Sequence, residues 1–164
     1  MPPALSFVVT NVTCNGLNNG SIDLTVSQGS GSYSYVWSNS AITQDISSLS
    51  PATYAVTATD VSNNCSISDQ ATITQPTALT VSILKTDETC PGSANGSATA
   101  TPSGGTSPYT YLWSNGNTTS NITGLTNASY SLTVTDNKTC TITSSAAIET
   151  TNVAPPTTLI HHDE

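Results

Sequence analysis

The tract Tyr33-Ser34-Tyr35-Val36-Trp37-Ser38-Asn39 returns as Tyr109-Thr110-Tyr111-Leu112-Trp113-Ser114-Asn115, so the chain is one design written twice. In both copies aromatic and apolar residues alternate with short polar ones and then break at Ser-Asn, the pattern of a β-strand running into a turn. An offset of 76 residues, which lays Cys90 on Cys14, carries most of the chain onto itself. A repeat of this length predicts two small units, 1–76 and 77–151, followed by a non-repeating tail, 152–164. A unit of this size buries only about 60% of the surface its unfolded chain exposes, so cross-links or neighbour contacts are expected to support it.

Within the first copy, Leu5–Val12 is rich in β-branched residues and reads as a strand. Cys14-Asn15-Gly16 and Asn18-Asn19-Gly20 are turn signals. Ser21–Val26 alternates, with Ile22, Leu24 and Val26 on one face. The Tyr/Trp strand follows a Gly/Ser loop, Thr43–Ile46 is a short fourth candidate, and Thr53–Asp60 puts Tyr54, Val56 and Ala58 toward a core. Cys65–Thr74 closes the unit. The only length difference lies between Asp and Cys: five steps from Asp60 to Cys65, four from Asp136 to Cys140. Short strands, turn signals about every 8–12 residues and one Trp on a central strand predict an all-β chain of two tandem immunoglobulin-like β-sandwich domains.

The motif Cys-x-Gly-x-x-Asn-Gly-Ser, then Tyr-x-Tyr-x-Trp-Ser-Asn, Ile-x-x-Leu, Tyr-x-x-Thr-x-Thr-Asp and a closing Cys resembles the SprB-type repeat of large surface adhesins in gliding bacteria. It is carried by Cys14, Gly16, Asn19, Gly20, Ser21, Tyr33, Tyr35, Trp37, Ile46, Leu49, Tyr54, Thr57, Thr59, Asp60 and Cys65, with partners in the second copy. Ala52 and Ala128 stand where that family usually has Gly. The resemblance implies a secreted, cell-surface, non-enzymatic repeat module found in arrays.

Ten acidic residues face only Lys85 and Lys138, a formal charge of −8. Without a basic patch to neutralise phosphates, nucleic acid is excluded as a partner, and so is electrostatic docking on an anionic membrane. No run approaches the ~18 apolar residues of a membrane span, so insertion is not expected. Met1–Thr10 carries no secretory signal pattern, which suggests that the numbering starts inside a processed or cloned fragment.

Four cysteines permit three pairings. One early and one late in each copy favours Cys14 with Cys65 and Cys90 with Cys140, provided an even number of strands separates them and returns both to one pole. Closing a loop of that length contributes about 3–4.5 kcal/mol in the chain-entropy model, and disulfides place the chain outside the cytosol. A metal site is disfavoured, since there is no Cys-x-x-Cys and neither copy contains His. Tyr33, Tyr35 and Trp37, with Tyr109, Tyr111 and Trp113, lie on one strand face. They are either a core face or, if Val36 points inward, an exposed stripe able to stack on sugars. Asp60 and Asp136 read as Asx turns in preference to calcium ligands, because calcium takes about 6–8 oxygens. Asn11, Asn19, Asn117, Asn121, Asn127 and Asn137 each open an N-glycosylation sequon.

No catalytic residues, metal or cofactor are expected: the only histidines, His161 and His162, lie in the tail, and the first copy has no Lys. The leading expectation is a structural or adhesive module on a bacterial cell surface, with neighbouring repeats as partners. Two alternatives stand beside it. One is a filament subunit joined by strand addition through Leu5–Val9 or Thr157–Ile160. The other is a carbohydrate-binding module using the Tyr/Trp faces, with surface glycans as partners.

Overall fold

The computed structural model describes residues 3–151. By contact the chain divides into two units, one running to Ala78 and taking in Gly104–Thr106, the other comprising Leu79–Ser103 and the chain from Ser107 on. Among the described residues each unit holds six strands. The first has β1 (Ala4–Thr10), β2 (Gly20–Ser27), β3 (Tyr33–Trp37), β4 (Ile46–Leu49), β5 (Ala52–Asp60) and β6 (Ser66–Ile73). The second repeats them as β7 (Thr80–Thr86), β8 (Gly96–Ser103), β9 (Thr110–Trp113), β10 (Asn121–Leu125), β11 (Ala128–Thr135) and β12 (Thr141–Ile148).

Two three-stranded antiparallel sheets make up each unit, ordered β1-β2-β4 and β3-β5-β6 in the first, β7-β8-β10 and β9-β11-β12 in the second. The period-2 pattern decides what lies between them. Ile22, Leu24, Trp37, Tyr54, Val56 and Ile73 are buried in the first unit, and Ala98, Ala100, Trp113, Leu132, Val134 and Ile148 in the second. Val36 and Leu112, next to the tryptophans, are 60% and 57% exposed. The aromatic strand therefore turns its Trp inward. Each indole also satisfies its N–H: Trp37 Nε1 donates to Thr43 O and Trp113 Nε1 to Thr119 O, both at 2.9 Å.

Those indole bonds hold a return loop that strand counting misses. After β3 the chain folds back, Trp37 N donating to Ala41 O at 2.9 Å, and runs down beside the indole before β4 begins. Residues 43–46, expected as the fourth strand, mostly form this return, and β4 lies three residues later. Here side chains do the work of a ladder: Leu24 N donates to Asp45 Oδ1 at 2.9 Å, and Gln44 Nε2 donates to Leu24 O at 2.5 Å. β3 and β4 consequently run the same way. β3 pairs antiparallel with β5 from Tyr33 opposite Asp60, while β4 meets β2 with Leu49 opposite Gly20.

The first and last strands of a unit meet side by side in parallel. Val12 N donates to Thr74 O at 3.2 Å, and Thr74 N to Asn11 Oδ1 at 2.8 Å. The second unit repeats this where Glu88 N donates to Glu149 O at 2.9 Å, Glu149 N to Asp87 Oδ1 at 3.0 Å and Thr151 N to Glu88 O at 2.7 Å. Close to this closure β2 and β8 open on glycines that a methyl group would not fit. A Cβ at Gly20 would lie 2.8 Å from Ile73 Cγ2, and one at Gly96 would lie 2.8 Å from both Ile148 Cγ2 and Leu125 O.

Candidate functional site

The chain enters each unit at one pole and leaves from the other. The leading pole carries the start of β1, the end of β2 and the turn from β5 to β6; the trailing pole carries the end of β1, the start of β2 and the end of β6. The polar chemistry collects at these poles, because the sheet faces between them display mostly Ser, Thr and small apolar side chains.

At the leading pole of the first unit Asp60, fully buried, ties two loops together. Its Oδ1 accepts from Ser30 Oγ at 2.5 Å, Ser62 N at 2.9 Å and Ser62 Oγ at 2.6 Å; its Oδ2 accepts from Ser30 N at 2.9 Å and Asn63 Nδ2 at 3.4 Å. The Ser30 hydroxyl first, then the Ser62 hydroxyl and the backbone N–H groups of both serines, hold this carboxyl well below the usual carboxylate range. Asp136 repeats the arrangement, its Oδ1 accepting from Lys138 N at 2.8 Å and Cys140 N at 2.9 Å. Both aspartates fasten turns, and no group of three or more His, Cys, Asp or Glu that could hold a metal occurs among the described residues.

The trailing poles differ. Where the first unit buries Val12, the second buries Glu88, and its carboxylate accepts from Ala94 N at 3.0 Å, Asn127 N at 3.1 Å and Thr150 Oγ1 at 3.3 Å. The bond from Ala94 N leads in lowering its pKa. Sequence reasoning passed over Glu88, although the 76-residue offset sets a charge against a buried valine and so marks the position.

The cysteines require a correction. Cys14 follows β1 at the trailing pole, where Gly16 N donates to Gln75 Oε1 at 2.9 Å and Asn15 Nδ2 to Pro76 O at 3.0 Å. Cys65 sits at the leading pole, its carbonyl accepting from Asp60 N at 2.8 Å. The whole of β6 separates the two poles, roughly 25 Å at about 3.3 Å per residue, far beyond the ~7 Å Cα separation a disulfide tolerates. Cys90 and Cys140 are divided in the same way, Cys140 O accepting from Asp136 N at 2.9 Å. Neither expected within-unit bond exists, because Cys65 and Cys90 are free and exposed. Strand parity failed because the 38–45 return is one more passage between the poles.

Tyr33 and Tyr35 are half-buried and flank an open groove of about 630 Å³ shared with Gln28, Ser30 and Gln44. Tyr33 OH donates to Gln28 O, and Tyr35 OH donates to Gln44 Oε1 at 3.3 Å. Tyr109 and Tyr111 are half-buried likewise. With both tryptophans in the cores, no Tyr/Trp stripe faces solvent. All six sequon asparagines are exposed. The amide nitrogens of Asn19, Asn121 and Asn127 donate to Thr13, Thr99 and Thr150. Leu5–Val9, considered above as a donor strand, is paired with β2 inside its own unit. Thr157–Ile160, His161 and His162 lie outside the described residues.

The SprB repeat family matches the chain at residues 6–42 and 84–118. Among curated protein sequences none is a significant match. Among solved structures, the three N-terminal domains of the bacteriophage RB49 highly immunogenic outer capsid protein Hoc align with 88% of this chain and 59% of theirs. Their TM-score is 0.54 and their identity 18%. A C-terminal 282-residue fragment of intimin, solved with the intimin-binding domain of its translocated receptor, aligns over 86% of this chain and 64% of its own at TM-score 0.40 and 16% identity. The amphioxus IgVJ-C2 molecule aligns over 90% and 96% at TM-score 0.36 and 16% identity. The chain thus spans about three fifths of the first two structures. The likeness to the Hoc domains is one of fold: each unit is an immunoglobulin-like sandwich.

Proposed function

We propose that this chain, which the SprB repeat family matches at residues 6–42 and 84–118, is a non-enzymatic structural segment of a secreted bacterial surface protein, adding reach and display surface to an array. One observation carries the reading. Each unit receives the chain at one pole and releases it at the other, its first and last strands running in parallel. Repeats joined through such poles add length with every copy, by roughly 25–30 Å for strands of this size. The SprB resemblance supports placement at the cell surface, and the acidic, lysine-poor composition suits a solvated surface chain.

The test is length against copy number. Chains of one, two and four repeats, measured by small-angle scattering and negative-stain microscopy, are expected to lengthen in proportion to the number of repeats. A maximum dimension that stays nearly constant as copies are added would overturn the reading.

A further inference from the structure

The mouth of the first sandwich holds a cleft that extension of an array does not use. The groove of about 630 Å³ beside Tyr33 and Tyr35 opens between the two sheets: Thr25 and Val26 come from the end of β2, the tyrosines from β3, and the 28–32 loop joins them. Gln44 enters from the return. Such a volume is that of a small-ligand cleft, about 300–1,000 Å³. All the lining residues belong to the first unit, so the site is complete within one repeat.

Its walls are held before any ligand arrives. Gln44 is pinned, Nε2 donating to Leu24 O at 2.5 Å and Oε1 accepting from Tyr35 OH at 3.3 Å. Each of these atoms keeps one further bonding position, a second amide hydrogen and a second lone pair. The loop is fastened by the buried Asp60, which accepts from Ser30 N at 2.9 Å and Ser30 Oγ at 2.5 Å, and by Tyr33 OH donating to Gln28 O. Gly29 packs against Tyr33 so closely that a Cβ there would lie 2.7 Å from the phenolic oxygen. Rigid walls reduce the ordering cost of binding.

The lining selects the ligand. Tyr33 and Tyr35 stand two positions apart on β3, so their side chains recur at about 7 Å along the strand. Aromatic faces are negative and attract the C–H groups on the face of a pyranose ring. Around them are amides and hydroxyls, which match a polyol. No charged side chain lines the groove, and the chain's charge of −8 disfavours an anionic ligand. Val26 is the one aliphatic side chain in the lining, too little to anchor an apolar peptide. The second copy separates the two kinds of group: the 76-residue offset keeps the rings as Tyr109 and Tyr111 but puts Ser120 in place of Gln44 and Gly104 in place of Gln28. The tyrosines belong to the repeat, and the amides are particular to the first unit.

We propose that this groove binds a neutral oligosaccharide, with Tyr33 and Tyr35 against the sugar rings and the Gln44 amide bonding to ring hydroxyls. The full chain, isotope-labelled, is titrated with cellohexaose, maltohexaose, laminarihexaose and mannohexaose and followed by NMR. At least one sugar is expected to shift the Gln44 side-chain amide and the 28–32 backbone amides saturably, with a dissociation constant of about 0.1–1 mM. Gln44→Ser, the change the second copy already tolerates, is expected to weaken that binding about tenfold, as the loss of hydrogen bonds to the ligand would. No shift with any of the four sugars at about 10 mM overturns the proposal. So do equal shifts around Tyr109 and Tyr111, undiminished binding by a folded Gln44→Ser chain, or tighter binding of a hyaluronan hexasaccharide than of any neutral sugar. Where that variant misfolds, the map of shifted amides in the unaltered chain decides.

Discussion

Asp60 shows how much one buried carboxylate organises. It is acceptor-only when ionised, and its two oxygens collect the donors of the 28–32 loop and of the turn before Cys65. Folding lowers its pKa, so its contribution is fully present above the ordinary carboxylate value and is lost as pH falls toward the folded value. Melts recorded from about pH 7 to about pH 2 are expected to show the gap between wild type and Asp60→Asn narrowing on acidification. A gap that is constant with pH would show that the charge is not what matters. Glu88 is lowered too and adds the same sign of dependence in the second unit.

At the scale of elements, the glycines opening β2 and β8 decide whether each sandwich closes. Gly20→Ala and Gly96→Ala each place a methyl group against an isoleucine and a backbone carbonyl. Each is expected to cost about 1–3 kcal/mol by overpacking, read as a lower denaturation midpoint; a change under about 0.5 kcal/mol would mean the strand shifts freely there. The alternating cores of β2 and β5 were legible in the sequence, since period-2 patterning is a local signal; these glycines read there only as turn residues, and their tight fit at the start of a strand was not legible. Nor was the passage through residues 38–45. Its order comes from Trp37 Nε1 reaching Thr43 O and from Asp45 and Gln44 imitating a strand edge at Leu24, contacts between side chain and backbone that leave no periodicity. One unread passage was enough to invert the pole of a cysteine and misassign both disulfides. The turn role of Asp60 was readable, but its serine partners were not, because Ser30 is 30 residues away in a chain full of serines.

For the molecule, the arrangement of each unit's first and last strands governs its response to tension. The ends of a unit lie at opposite poles, and β1 and β6 run side by side in one direction, as do β7 and β12. A pull on the ends draws these neighbours past each other lengthwise, so their contacts and the flanking ladders share the load together and do not peel apart one bond at a time. Pulled through its ends in an optical or force-microscope experiment, a unit is expected to yield at a higher force than when pulled through Thr10 and Ser21, the ends of β1 and β2 that adjoin at a single pole; equal forces would contradict this. A unit built this way has its strong axis along the line between the points where the chain enters and leaves it.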